Sequence, residues 1–76
     1  MKPTARLRKR SVTIAGHRTS ISLESEFWDS LSDIAAARDR PVASLIADID
    51  RRGGRETSLS SAVRLFVLAH YRKKAS

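Results

Sequence analysis

Along residues 17–23 the chain alternates, with Thr19, Ile21 and Leu23 on one side and Arg18, Ser20 and Ser22 on the other. Such alternation predicts a strand with one buried face. At Glu24 the period changes. Phe27, Leu31, Ile34 and Ala35 recur at i, i+4, i+7 and i+8, with Trp28 flanking them, and predict an amphipathic helix over roughly residues 25–38. Glu24 and Glu26 fall in its first turn and Arg38 in its last, as the helix dipole favours. A single short strand leading into a helix is a strong constraint. Its backbone N–H and C=O groups need a partner that one strand cannot supply.

Asp39-Arg40-Pro41 ends the first helix, since proline disfavours helical geometry at the residue before it and suits the first position of a new helix. Val42, Leu45, Ile46 and Ile49 then predict a second helix over roughly residues 41–51, closed by Gly53-Gly54 with Gly53 in a left-handed position. Thr57 or Ser58 can cap a third helix over about residues 57–73. Leu59, Ala62, Val63 and Phe66 form one of its stripes, and Leu65, Leu68 and Ala69 another. A helix apolar on nearly all sides is buried on more than one side. Upstream, residues 11–14 are β-prone and Ala15-Gly16 marks a bend. Two readings stand: these residues pair back as a hairpin, or they continue the strand past a bulge. Residues 1–10 lack apolar periodicity and read as a disordered basic arm. Residues 11–76 then form one domain, mostly α with one short β-strand and an additional C-terminal helix.

A chain of 76 residues without cysteine can use neither disulfides nor thiolate metal sites to reinforce a small core, which leaves association with a second copy. No stretch is long and apolar enough to span a bilayer, and no apolar segment follows the basic start as a secretory signal requires, so the expected location is cytoplasmic. The net charge is +7 and unevenly spread. Both ends are basic and the middle is acidic. The basic start suits nucleic acid, and equally suits a solubilising tail.

Catalysis finds little support. His17 and His70 stand far apart, Asp29 and Asp33 are helical neighbours on a solvated face, and no Gly-rich phosphate loop is present. No enzyme activity, metal or cofactor is expected.

The simplest partner for the strand is an antiparallel strand from a second copy related by a twofold axis. Arg18, Ser20 and Ser22 of each chain would then lie on an open ribbon face, and a two-stranded ribbon fits the major groove of double-stranded DNA. The core of such a dimer would comprise Thr19, Ile21, Leu23, Phe27, Trp28, Leu31, Ile34, Leu45, Ile46, Ile49 and Phe66.

The run Arg18-Thr19-Ser20-Ile21-Ser22-Leu23, followed by Glu24-Ser25-Glu26-Phe27-Trp28, Leu31 and Ile34-Ala35, resembles the ribbon-helix-helix superfamily of bacterial and phage repressors. Asp39-Arg40-Pro41-Val42-Ala43-Ser44-Leu45-Ile46 looks like that superfamily's interhelix turn and second helix. The wording GHRTSISLESEFW is most similar to small alphaproteobacterial members described as predicted DNA-binding proteins. The resemblance implies an intertwined homodimer that regulates transcription at the nucleoid. It places base contacts at Arg18, Ser20 and Ser22. It places a phosphate clamp at the start of the second helix, on the backbone of Val42 and Ala43 with the Ser44 hydroxyl nearby, and a helix N-terminus is a ready anion site. Lys9, Arg10 and His17 are further candidate phosphate contacts. The chain departs from the family in two ways. Ser20 and Ser22 are short where many members use long side chains, and Pro41 stands where a small polar cap is common. A rival reading makes the chain a dimeric protein-interaction module, such as an antitoxin, whose C-terminal helix docks a partner protein.

Overall fold

The computed structural model describes residues 6–53 and 58–75. Two strands, β1 (Leu7–Ile14) and β2 (His17–Glu24), precede three helices, α1 (Ser25–Ala37), α2 (Val42–Gly53) and α3 (Leu59–Ala75).

The strands pair with each other, antiparallel, from Ile14 opposite His17 to Leu7 opposite Glu24. The expectation of one short strand completed only by a second copy is therefore corrected, and of the two readings of residues 11–14 the hairpin is the one formed. The loop is Ala15-Gly16, with φ of 51° and 84°. Positive φ at both central residues is the conformation of a type I′ turn, whose twist matches that of the flanking strands. Of the expected basic arm, residues 1–5 lie outside the described residues. Residues 7–10 form the first half of β1, which corrects the reading of 1–10 as a disordered arm. Their strand lacks an apolar pattern because its inner positions include arginines. The Trp28 indole N–H donates to the Arg8 carbonyl at 3.1 Å, and the Arg10 guanidinium lies 5.2 Å from the centre of the Trp28 ring.

α1 buries Trp28, Leu31, Ile34 and Ala35, while Phe27 is half-buried. Its end is well defined. The Asp39 N–H donates to the Ala36 carbonyl at 3.0 Å and the Arg40 N–H to the Ala35 carbonyl at 2.9 Å, with Asp39 at φ 56°. This is a Schellman motif with aspartate in the left-handed position, and Pro41 follows it. The Pro41 carbonyl accepts the Leu45 N–H at 3.2 Å, so Pro41 caps α2 rather than opening it. Gly53 is the last residue of α2 and has no positive φ, contrary to the expected left-handed terminator. What it supplies is close approach: a Cβ there would stand 3.3 Å from the Ala62 Cβ of α3. Ser58 caps α3, its Oγ accepting the Ser61 N–H at 3.2 Å; Thr57 lies outside the described residues.

The core closes within one chain. Ile14, Ile21, Leu23, Trp28, Leu31, Ile34, Ala35, Leu45, Ile46, Ile49, Val63 and Val67 are buried together. Of the expected dimer core, Thr19, Phe27 and Phe66 are only half-buried. α2 rests against β1, and α1 and α3 against β2. The third helix is not buried all round: Val63 and Val67 face the core, while Leu65 and Leu68 are 60% and 51% exposed.

Candidate nucleic-acid interface

Directly opposed residues of an antiparallel pair point to the same face. The register therefore sorts the hairpin. Val12 and Ile14 share the inner face with Ile21 and Leu23, against the helices. Beyond the Leu7–Glu24 pair at the open end, Lys9 opposite Ser22, Ser11 opposite Ser20, and Thr13 opposite Arg18 form the outer face. All six are exposed except Ser22, which is half-buried. The outer face thus presents two cations, at Lys9 and Arg18, and four hydroxyls between and beside them. No described helix packs on it.

Lys9, Arg18, Ser20 and Ser22 come together as the sequence reading required. Arg10 and His17 do not join them: both lie on the inner side of the register, Arg10 over Trp28 and His17 opposite Ile14 beside the turn. Ser11 and Thr13 were missed. The signal that could have found them was present, since they alternate with Val12 and Ile14 ahead of Ala15-Gly16.

The ladder has a second consequence. The Ser25 N–H donates to the Arg6 carbonyl at 3.2 Å, which makes that pair a hydrogen-bonded one. Bonded and non-bonded pairs alternate, so Lys9–Ser22, Ser11–Ser20 and Thr13–Arg18 are non-bonded pairs. The backbone N–H and C=O of Arg18, Ser20 and Ser22 consequently point away from β1, toward the other edge of β2.

At the start of α2, Val42 is half-buried, Ala43 exposed and Ser44 half-buried. A first turn leaves backbone N–H groups without acceptors inside the helix. Ser44 is otherwise engaged: the Arg40 guanidinium donates to its Oγ at 2.6 Å and to its carbonyl at 3.2 Å. Arg40 also pairs with Asp48 at 2.6 Å, and this hydrogen bond, against the opposing effect of burial, holds the Asp48 carboxyl below its ordinary pKa. Arg40 thereby staples the first turn of α2 to its second.

Among the described residues no group of three His, Cys, Asp or Glu could hold a metal ion. No described helix is long and apolar enough to cross a membrane.

A family model of the ribbon-helix-helix domain matches residues 7–71. The chain belongs to the ribbon-helix-helix family. Its fold is similar to that of an uncharacterized protein from Bordetella pertussis Tohama I, with a TM-score of 0.79 and 30% identity over 95% of this chain. The match spans 61% of the Bordetella protein's length. Among curated proteins none matches the chain. In this chain the β1–β2 hairpin precedes α1 and α2, and α3 follows them.

Proposed function

We propose that this ribbon-helix-helix protein binds double-stranded DNA as a homodimer, laying the outer face of its β-ribbon in the major groove, and regulates transcription at the nucleoid. The observation that carries the reading is the exposed outer face of the hairpin, with Lys9 and Arg18 among Ser11, Thr13, Ser20 and Ser22, on the side opposite Val12, Ile14, Ile21 and Leu23. The two β2 strands at the centre of the dimer form the two-stranded ribbon that enters a major groove about 12 Å wide, and arginine is the side chain best suited to the guanine edge. The serines and Thr13 keep the face thin enough for the backbone to approach the bases. Lys9 and the backbone N–H groups of Val42 and Ala43 at the first turn of α2 supply phosphate contacts that hold without reading.

Dimerisation uses the open edge of β2. The backbone of Arg18, Ser20 and Ser22 meets the same groups of a second copy across a twofold axis, giving a four-stranded sheet with both reading strands at its centre. The resulting protein is a binder with no catalytic step, metal or cofactor.

The test is selection of bound sequences from a random duplex pool by the purified full chain, followed by binding at two salt concentrations. An enriched motif with a twofold repeat supports a regulator. Retention without enrichment leaves a non-specific binder, and no retention at low salt rejects the proposal.

A second reading has its own observation: Leu65, Leu68 and Tyr71 are exposed along α3. In that reading the chain is an interaction module whose third helix docks a partner protein.

A further inference from the structure

Away from the outer face of the hairpin, the C-terminal end of α1, the second half of α2 and the first half of α3 line a half-open cavity of about 330 Å³. This is at the lower end of the size range of small-molecule pockets, roughly 300–1,000 Å³. Its apolar walls are Leu45, Ile49, Ala62 and Phe66, and the absence of a side chain at Gly53 keeps the α2–α3 wall close. Its charged lining is uneven. Asp48 is already taken by Arg40 and Arg51. Arg52 acts through its charge on Asp48 as well, whereas Arg38 forms no ion pair among the described residues, its guanidinium standing 5.3 Å from the centre of the Phe66 ring. Arg38 and Phe66 also line a neighbouring hollow that opens toward Lys73 and Lys74. An apolar cavity with an unpaired guanidinium at its rim, and its single carboxylate neutralised, is complementary to an apolar body bearing one negative charge.

We infer that this cavity binds a small amphipathic carboxylate, with its apolar part between Ile49 and Phe66 and its carboxylate on Arg38. The site is separate from the ribbon face, and the inference does not depend on DNA binding. Two features set the ligand class. Leu45, Ile49, Ala62 and Phe66 offer an apolar floor that an inorganic anion would leave unfilled, and the arginines at the rim disfavour a neutral hydrocarbon. Arg38 closes α1 and Phe66 belongs to α3, so an occupant would tie together two helices that pack on each other and on β2.

The experiment titrates the full chain with octanoate, 1-octanol and acetate, following backbone amide shifts and heats of binding. Octanoate should saturate a single site, moving the amides of Ile49, Ala62 and Phe66 while leaving Ser11 and Ser20 in place. Octanol should bind at least about tenfold more weakly and acetate not measurably, since a charge-assisted hydrogen bond contributes about that factor. Arg38→Gln should weaken octanoate about tenfold without changing octanol, with its helical circular dichroism retained. Leu65→Trp, at an exposed lining position, should crowd the mouth and weaken both. Equal affinity for octanoate and octanol, or no effect of Arg38→Gln, would overturn the inference. So would shifts at the same amides on simple concentration without ligand, because a second copy or an apolar segment would then be the occupant.

Discussion

The Arg64 guanidinium of α3 donates to the Glu24 carboxylate at 2.9 Å, across the joint where β2 becomes α1. The same guanidinium stands 5.9 Å from the centre of the Phe27 ring. One side chain of the appended helix therefore holds the junction on which the ribbon's orientation depends. Both partners are half-buried, so the pair is an orienting contact more than a large source of stability.

The Glu24 carboxyl is held below its ordinary value of 4.5, first by its hydrogen bond from Arg64. A depressed folded-state pKa contributes stability that is present above the unfolded value and lost as pH falls through the folded value. Glu24→Gln should therefore lower the melting temperature slightly at pH 7. The gap to the wild type should close as the pH drops below about 4.5. Thermal melts of both proteins between pH 7 and 3 check this. A gap that widened in acid would contradict the assignment.

The turn offers a stabilising change. Ala15 has φ of 51°, a conformation that costs an L-residue with a Cβ roughly 1 kcal/mol, and it is exposed with no core contact to lose. Ala15→Asn places the favoured Asn-Gly pair in the type I′ loop and should raise stability by about 0.5–1 kcal/mol. Ala15→Val should lower it by more than about 1 kcal/mol, since branching at Cβ worsens the strain. Urea midpoints measure both.

These two sites also show what the sequence could reveal. The helices were legible because their apolar stripes are strong and Asp39-Arg40-Pro41 separates them. The outer face of β2 was legible because Arg18, Ser20 and Ser22 alternate with a buried set. β1 was not: its inner residues Arg8 and Arg10 break the pattern, and their place is set by Trp28, twenty residues away for Arg8. Periodicity centred the α1 stripe on Phe27, whereas Trp28 is the buried aromatic, because its indole reaches a carbonyl on a strand that local spacing could not foresee. Ala15 hid the hairpin, since asparagine or aspartate is the usual first residue of such a loop. Missing β1 in turn removed Ser11 and Thr13 from the expected face and made a second copy look necessary for pairing.

Dimer formation through β2 can be tested without touching the core. The Ser20 N–H points to the open edge and makes no bond within the hairpin, so Ser20→Pro should leave the hairpin ladder intact. It should block the edge and convert a dimer to a folded monomer. Sedimentation velocity reports the mass, and circular dichroism reports that the helices remain. A Ser20→Pro protein that stays dimeric would place the interface elsewhere, with the exposed Leu65–Leu68 side of α3 the next surface to examine.

Arg18 tests reading against holding. It is the long side chain on the outer face of β2, and Thr13, directly across the ribbon, is too short to replace it. If its guanidinium meets guanine O6 and N7, Arg18→Ala should cost roughly 1–3 kcal/mol on a selected duplex and erase the preference at that base pair. Ser20→Ala and Ser22→Ala should cost less, because water can replace a single hydroxyl contact. Lys9→Ala should weaken selected and scrambled duplexes alike and reduce the slope of log K against log salt by about one, as loss of one phosphate contact does. All four side chains lie on the face away from the helices, so the melting temperatures should hold. The measurement is the affinity of each variant for the selected and the scrambled duplex across a salt series. Equal weakening of both duplexes by Arg18→Ala would reduce Arg18 to a phosphate contact and move sequence reading to Ser11, Thr13 and the serines of β2. No change from any of the four would remove the ribbon from the DNA altogether and leave α3, with Leu65, Leu68 and Tyr71, as the functional surface.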